Sequence, residues 1–206
     1  MNVANKTKVL LIGGTSHVGK SILGKALADR LGWNYVATDS LGKHPGRPWI
    51  GKKNKEIKEH VVQHYQILTV DALLSDVLSH YQKNILPQVE AIINDRPAYG
   101  KSLVIEGSAL YPKFVYHLVE QKDISGIWLI ASDRLLRDRI LRQSHFYNVD
   151  EDAKYLITKF LARTLLYNQR LQKDVMYSGL EYINLNHNIT TEKLVLRCLD
   201  FCRGNS

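Results

Sequence analysis

The chain is poor in cysteine, proline and methionine, with two, five and two of them in 206 residues. The cysteines, Cys198 and Cys202, lie four apart in a helical pattern. That excludes a disulfide-built secreted scaffold and cannot complete a metal site alone, so they read as free thiols of a cytoplasmic protein. No apolar stretch approaches membrane-spanning length, and Met1 to Lys6 carries no apolar run of the secretory kind, so no membrane partner is expected. Repeats, low-complexity tracts and interdomain linkers are missing, which predicts a single domain over 1–206. Recognition-helix, RNA-binding and zinc-finger signatures are missing as well, despite a formal net charge of +8. The cations are dispersed, with concentrations at Lys52, Lys53, Lys55 and Lys58 and from Arg134 to Arg142. Such a balance suits a pocket for a triphosphate and an anionic acceptor. Nucleic acid is not the expected partner; a small molecule is, on a monomer or homodimer.

What remains is an ordinary globular composition with an alternating pattern. Strand-like runs at Lys8 to Ile12, Tyr35 to Thr38, Leu103 to Ile105, Ile127 to Ile130 and Tyr182 to Leu185 are separated by helical stretches, as a doubly wound parallel α/β sheet requires. The first helix is expected over Lys20 to Leu31, ending at Gly32. Thr69 to Asn94 supports two helices with Pro87 at a start or kink. A long polar helix follows from about Asp150 to Tyr177, with Tyr155, Phe160, Leu161, Leu165 and Leu171 on or near one side. The last helix, Thr191 to Cys202, is expected to turn Leu194, Leu196 and Leu199 inward.

Directly after the first strand, residues 14 to 21 read Gly-Thr-Ser-His-Val-Gly-Lys-Ser. This is a complete G-x-x-x-x-G-K-[ST] phosphate-binding loop between a strand and a helix. Gly14 and Gly19 let successive N–H groups of Thr15, Ser16, His17 and Val18 point inward and cradle a β-phosphate, helped by the positive end of the helix dipole. Lys20 reaches β and γ oxygens, and the Ser21 hydroxyl is placed to ligate Mg²⁺ beside ATP. The His17 side chain itself is expected to face solvent without a role.

Two acids end strands. Asp39, after Tyr35-Val36-Ala37-Thr38, would face the loop and either take the proton of an acceptor hydroxyl or hold it in line; alternatively it caps the next segment. Glu106, after Leu103-Val104-Ile105 and before Gly107, sits where a carboxylate coordinates Mg²⁺ through water, or else binds the acceptor. Between them, the irregular segment Leu41 to Glu59 interleaves Gly, Pro, Trp49 and basic residues. Lying beyond a strand's carboxyl end, it offers His44 and Arg47 to a substrate, or is a basic surface loop plugged by Trp49. After the fourth strand come Arg134, Arg137, Arg139 and Arg142, in two pairs three apart, and Arg163 follows on the long helix. At least two of this set are expected on nucleotide, and Arg142 on the acceptor.

Together, the loop, Ala37-Thr38-Asp39-Ser40 and Val104-Ile105-Glu106-Gly107-Ser108-Ala109-Leu110-Tyr111-Pro112 resemble the small P-loop kinases. The likeness is greatest to the 2-phosphoglycerate kinase-like group, with nucleoside monophosphate kinases and chloramphenicol phosphotransferase as wider relatives. The resemblance implies a three-layer P-loop fold with five parallel strands in the order 2-3-1-4-5 and an arginine-bearing lid at about 132–165. It also implies Arg139 stacked on adenine and Arg163 in contact with phosphates. The stretch from Arg142 to Asp150 is too short for a large lid. The activity so implied is ATP-dependent phosphoryl transfer to a small-molecule hydroxyl or phosphate. Nucleoside or nucleotide phosphorylation, and a regulatory binder with weak ATPase activity, are the alternatives.

Overall fold

The computed structural model describes residues 7–42, 44–49, 56–99, 102–186 and 189–203, apart from the side chains of 97–99 and 203. Met1 to Lys6 and the basic positions Lys52, Lys53 and Lys55 lie outside the described residues. Five strands form one parallel sheet in the order β2-β3-β1-β4-β5. They are β1 (Val9–Gly14), β2 (Asn34–Ala37), β3 (Leu103–Glu106), β4 (Ile124–Ala131) and β5 (Tyr182–Leu185). Every residue of β1 is buried, and its side chains alternate between two cores. Val9 and Leu11 pack with Ile105, Trp128 and the helix residues Leu74, Val89 and Val115. Leu10 and Ile12 pack with Leu23, Leu27, Leu135, Val195 and Cys198 on the other face. This explains why the strand reads as a continuous apolar run: a parallel sheet is covered on both sides.

The helices are α1 (Lys20–Leu31), α2 (Glu59–Ile67), α3 (Val70–His80), α4 (Leu86–Tyr99), α5 (Pro112–Val119), α6 (Asp133–Gln143), α7 (Glu151–Tyr177) and α8 (Thr191–Arg203). Gly32 ends α1 in the left-handed conformation, its N–H returning to the Ala28 and Asp29 carbonyls. The caps of α3, α6 and α7 are side chains: Thr69, Ser132 and Asp150 accept from the N–H groups of Ala72, Leu135 and Ala153. Pro87 is the second residue of α4, at a helix start as expected, where its missing N–H costs nothing within the helix. A π-turn at Tyr81–Ile85 links α3 to α4, widening the coil just ahead of the residue that has no N–H to donate.

Two side-chain expectations are corrected. Tyr155 is 51% exposed, whereas Phe160, Leu161 and Leu171 are buried as expected, in a stripe with Leu156, Ile157, Arg163, Thr164, Tyr167, Asn168 and Val175. Leu196 is 46% exposed, because α8 buries Leu194, Val195, Cys198, Leu199 and Cys202, a stripe that passes it by. Both cysteines are free and buried. Burial pushes the Cys198 thiol up to about 12 and that of Cys202 up to about 11, so both are inert at neutral pH.

Candidate active site

The turn between β1 and α1 is shaped by close backbone approach. At Gly13 an added Cβ would lie 2.2 Å from Trp128 Nε1 and 2.8 Å from the Leu110 carbonyl, so only glycine lets β1 pass the buried indole. Gly19 takes φ 98° as the residue before α1, and no side chain caps that helix. The first turn of α1 therefore presents backbone N–H groups that have no partner within the helix. His17 adopts φ 68° within the same turn, a left-handed conformation uncommon for a side-chain-bearing residue.

The loop opens on a cavity of about 1100 Å³. Ser16 to Ser21 form its floor, and Asp39, Arg47, Trp49, Glu106, Ser108, Arg139 and Arg142 line it, along with Leu185, Ile189 and Leu194. Strand order sorts these residues. β3 and then β2 lie to one side of β1, which brings Glu106, Ser108, Asp39 and Arg47 together. β4 and β5 lie to the other, which puts Arg139 and Arg142 of α6 on the same side of the cavity as Leu185, Ile189 and Leu194.

Lys20 is 8% exposed. Its ammonium donates to the Thr15 carbonyl at 2.8 Å and to Ser108 Oγ at 3.2 Å. Burial lowers its pKa, while Glu106 and then Asp39 pull it back upward, so both acids bear on the same ammonium. Glu106 is 3% exposed and accepts a hydrogen bond from the Tyr35 hydroxyl at 2.7 Å through Oε1. Burial, reinforced by that carboxylate, holds the Tyr35 hydroxyl protonated far above its ordinary range. Gly24 on α1 leaves room for both: a Cβ there would stand 3.1 Å from the Tyr35 ring and 3.2 Å from Glu106 Cγ. Ser21, Glu106 and Asp39 supply hard oxygen donors around one cavity. That donor set fits Mg²⁺, with Ser21 and Glu106 as the residues that would hold it.

Arg139 donates from Nη1 to the His17 carbonyl at 2.8 Å, and burial followed by the neighbouring Arg142 lowers its pKa. Arg134 and Arg137 are exposed and are not among the cavity residues, since their pair occupies a different face of α6. Arg163 is 8% exposed on α7, with its guanidinium 4.7 Å from the Phe160 ring centre and 5.6 Å from that of Tyr65. It borders a small space adjoining the loop with Thr15, Ser16, Tyr81 and Ser108, and its buried Nη1 has no hydrogen-bond partner among the described residues.

Several placements differ from the sequence reading. The His17 side chain is half-buried, its ring 5.8 Å from Trp49 and 5.7 Å from Phe160, because the left-handed backbone turns it inward. Burial, with Arg47 adding to it, pushes its pKa down to about 4, so it is neutral at physiological pH. Trp49 is a packing plug against Phe160, at 4.8 Å, and a cavity wall at once. His44 does not line the cavity; it pairs with Asp76 on α3. Ser108 and Tyr35 were missed. Ser108 was legible, standing two residues past the strand-end Glu106 beside a glycine. Tyr35 carried no signal beyond its place in β2.

No protein-family model matches the sequence, and no curated protein is similar to it in sequence. Solved structures are. A sugar kinase from Janibacter sp. HTCC2649 aligns over 94% of this chain and 92% of its own at 17% identity, with a TM-score of 0.56. Shikimate kinase from Aquifex aeolicus vf5 aligns over 96% and 97% at 13% identity, with a TM-score of 0.55. The chain has the P-loop kinase fold. That fold places a loop-and-helix turn at the carboxyl edge of a parallel sheet, where the cavity is. No described helix is long and apolar enough to cross a membrane.

Proposed function

We propose that the protein is an ATP-dependent kinase that moves a γ-phosphoryl group to a hydroxyl of a small molecule. One observation carries the reading: two strand-end acids and a buried lysine converge on a single cavity around the phosphate loop. The sugar kinase and shikimate kinase to which the fold is similar act on hydroxyl-bearing small molecules, which favours that acceptor chemistry over a nucleoside phosphate.

In this reading the Gly14 to Ser21 amides and the α1 dipole hold the β-phosphate, and Lys20 exchanges the Thr15 carbonyl for phosphate oxygens. Mg²⁺, held by Ser21 and Glu106, would offset charge on the β and γ oxygens. Arg139 flanks the base, the lid being the region of about 132–165, which runs from α6 through the short connection after it into the first half of α7, and Arg142 lies on that same side. Asp39 accepts the proton of the acceptor hydroxyl as its oxygen bonds to the γ-phosphorus. The bond from that phosphorus to the bridging oxygen breaks, and its electron pair leaves with ADP. Arg163 and Arg47 carry positive charge toward the transferred group and an anionic acceptor.

The test is ADP release across a panel of sugars, sugar acids and cyclic hydroxy acids, against nucleosides. Asp39→Asn is expected to cut kcat on the best acceptor by roughly 10²–10⁴-fold while ATP affinity changes less than about threefold. Equal losses in both would remove Asp39 from the proton-transfer role. ADP release stimulated by nucleosides alone would replace the hydroxy-acid class.

A further inference from the structure

Away from the cavity, three elements bring nitrogen and oxygen ligands together. His44 comes from the segment after β2, His64 from α2 and Asp76 from α3. Their ligand atoms all lie within 4.8 Å of one another. The orientation of His44 is fixed from behind: its Nδ1 is 2.9 Å from the Pro45 carbonyl. A carbonyl only accepts, so Nδ1 carries the proton, and Nε2 of the neutral ring offers its lone pair forward. That Nε2 is 3.0 Å from Asp76 Oδ2, and His64 Nε2 is 3.9 Å from the same oxygen.

A protonated His44 paired with Asp76 would account for the first distance alone. It leaves His64 Nε2, which is buried with no hydrogen-bond partner among the described residues. Four-coordinate zinc bonds of about 2.0–2.2 Å put neighbouring ligands roughly 3.4 Å apart. The spacings of 3.0 and 3.9 Å bracket that value, and a cation at their centre would satisfy the orphaned His64 Nε2 and the opposed lone pairs of His44 Nε2 and Asp76.

We propose that His44, His64 and Asp76 form a binding site for a zinc-class divalent cation, distinct from any Mg²⁺ carried with nucleotide. Two imidazoles and one carboxylate select Zn²⁺, Co²⁺ or Ni²⁺ over the oxygen-seeking Mg²⁺. The three ligands sit on separate elements, so the ion would fasten residues 44–49 to α2 and α3. That segment carries Arg47 and Trp49 into the cavity wall, and the ion would thereby set the acceptor side of the site.

Cation binding at this site is independent of kinase activity. Chelator-stripped protein is titrated with Zn²⁺ against a chromophoric chelator in excess Mg²⁺, and with Co²⁺ in the visible. One equivalent is expected to bind with a Kd in the micromolar range or below, and Co²⁺ to give tetrahedral d–d bands. Asp76→Asn, at a side chain 51% exposed, and His64→Gln should each weaken binding at least about tenfold. Circular dichroism and Mg·ATP binding of the variants report their folding separately. Wild-type protein that takes up no stoichiometric Zn²⁺, as a simple His44–Asp76 ion pair requires, overturns the proposal. So does tight binding that neither substitution weakens.

Discussion

Replacing Lys20 by Met separates what the folded chain needs from what its ligand needs. The ammonium makes two hydrogen bonds, to the Thr15 carbonyl and Ser108 Oγ. Bonds from a charged donor are worth about 1.5–3 kcal/mol each, so together they contribute about 3–6 kcal/mol. Against this stands the removal of an ammonium from water, an effective penalty of several kcal/mol. The lowered pKa of Lys20 shows that burial outweighs the two acids that favour its charge. Methionine fills a similar volume without the penalty. The variant is expected within about 2 kcal/mol of wild type in urea at pH 7 without nucleotide.

Nucleotide affinity should behave oppositely. Losing the lysine from a buried charge-paired site costs about 2–5 kcal/mol, which is roughly a 30- to 5000-fold rise in Kd. At a Mg·ATP concentration of 100 times the wild-type Kd, wild type gains about 2.7 kcal/mol and the variant under about 1 kcal/mol. Alkaline pH gives an independent check. Where the lowered folded pKa and the unfolded value bracket the pH, the unfolded chain binds more protons, so wild type gains stability as pH rises toward 10.5. Lys20→Met lacks that gain, and the difference between the two proteins cancels the buried tyrosines, which titrate nearby with the opposite sign. A variant that loses more than about 3 kcal/mol without nucleotide, yet keeps the full increment from Mg·ATP, would show that Lys20 braces the fold rather than awaiting phosphate.

Gly13→Ala would drive a methyl to 2.2 Å from Trp128 Nε1, whose bond to the Leu110 carbonyl is 2.9 Å. A loss of about 2–5 kcal/mol is expected in urea unfolding. Adding Trp128→Phe should leave the double variant at least about 1 kcal/mol more stable than additivity predicts, and strict additivity would show that the indole does not set the limit. His17 is neutral when folded, with its pKa pushed down to about 4 from 6.5. Its contribution is complete above 6.5 and is lost as pH falls toward 4, by up to about 3 kcal/mol. His17→Asn, which tolerates the left-handed backbone, should flatten that acid limb; an unchanged slope would mean the ring is not the group titrating.

The strand–loop–helix signal was legible because it is local. Lys20–Leu31 and its Gly32 terminus follow from propensity and cap chemistry, and the five strands from apolar runs buried on both faces. The two acids were found for the same reason, each ending a strand. What escaped depends on contacts between distant parts of the chain. Tyr35 supports Glu106 only because β2 pairs with β3, Ala37 opposite Glu106. His17 turns inward because Trp49 and Phe160, 32 and 143 residues further on, build a wall there. The place of His44 is set by Asp76, on a helix whose docking no pattern in the segment announces.

The sheet order also explains why a basic chain keeps two acids beside its phosphate loop. Ile12 pairs with Glu106 across β1 and β3, and the Ile12 carbonyl accepts from the Gly107 N–H at 3.1 Å. A Cβ at Gly107 would strike Thr38 Oγ1 at 1.7 Å, so the glycine lets the end of β2 close over the end of β3. Asp39 and Glu106, 67 positions apart, are thereby fixed on one side of Lys20. Arg139 and Arg142 belong to the far side, after β4. A triphosphate lying along the loop would meet only cations toward its base, and both cations and carboxylates, Lys20 and Arg47 with Glu106 and Asp39, toward its γ end. Carboxylates at that end only would suit a metal and an acceptor proton there. Simple retention of an anion would favour positive charge throughout, so the two acids argue for chemistry at that end and not for storage of the nucleotide.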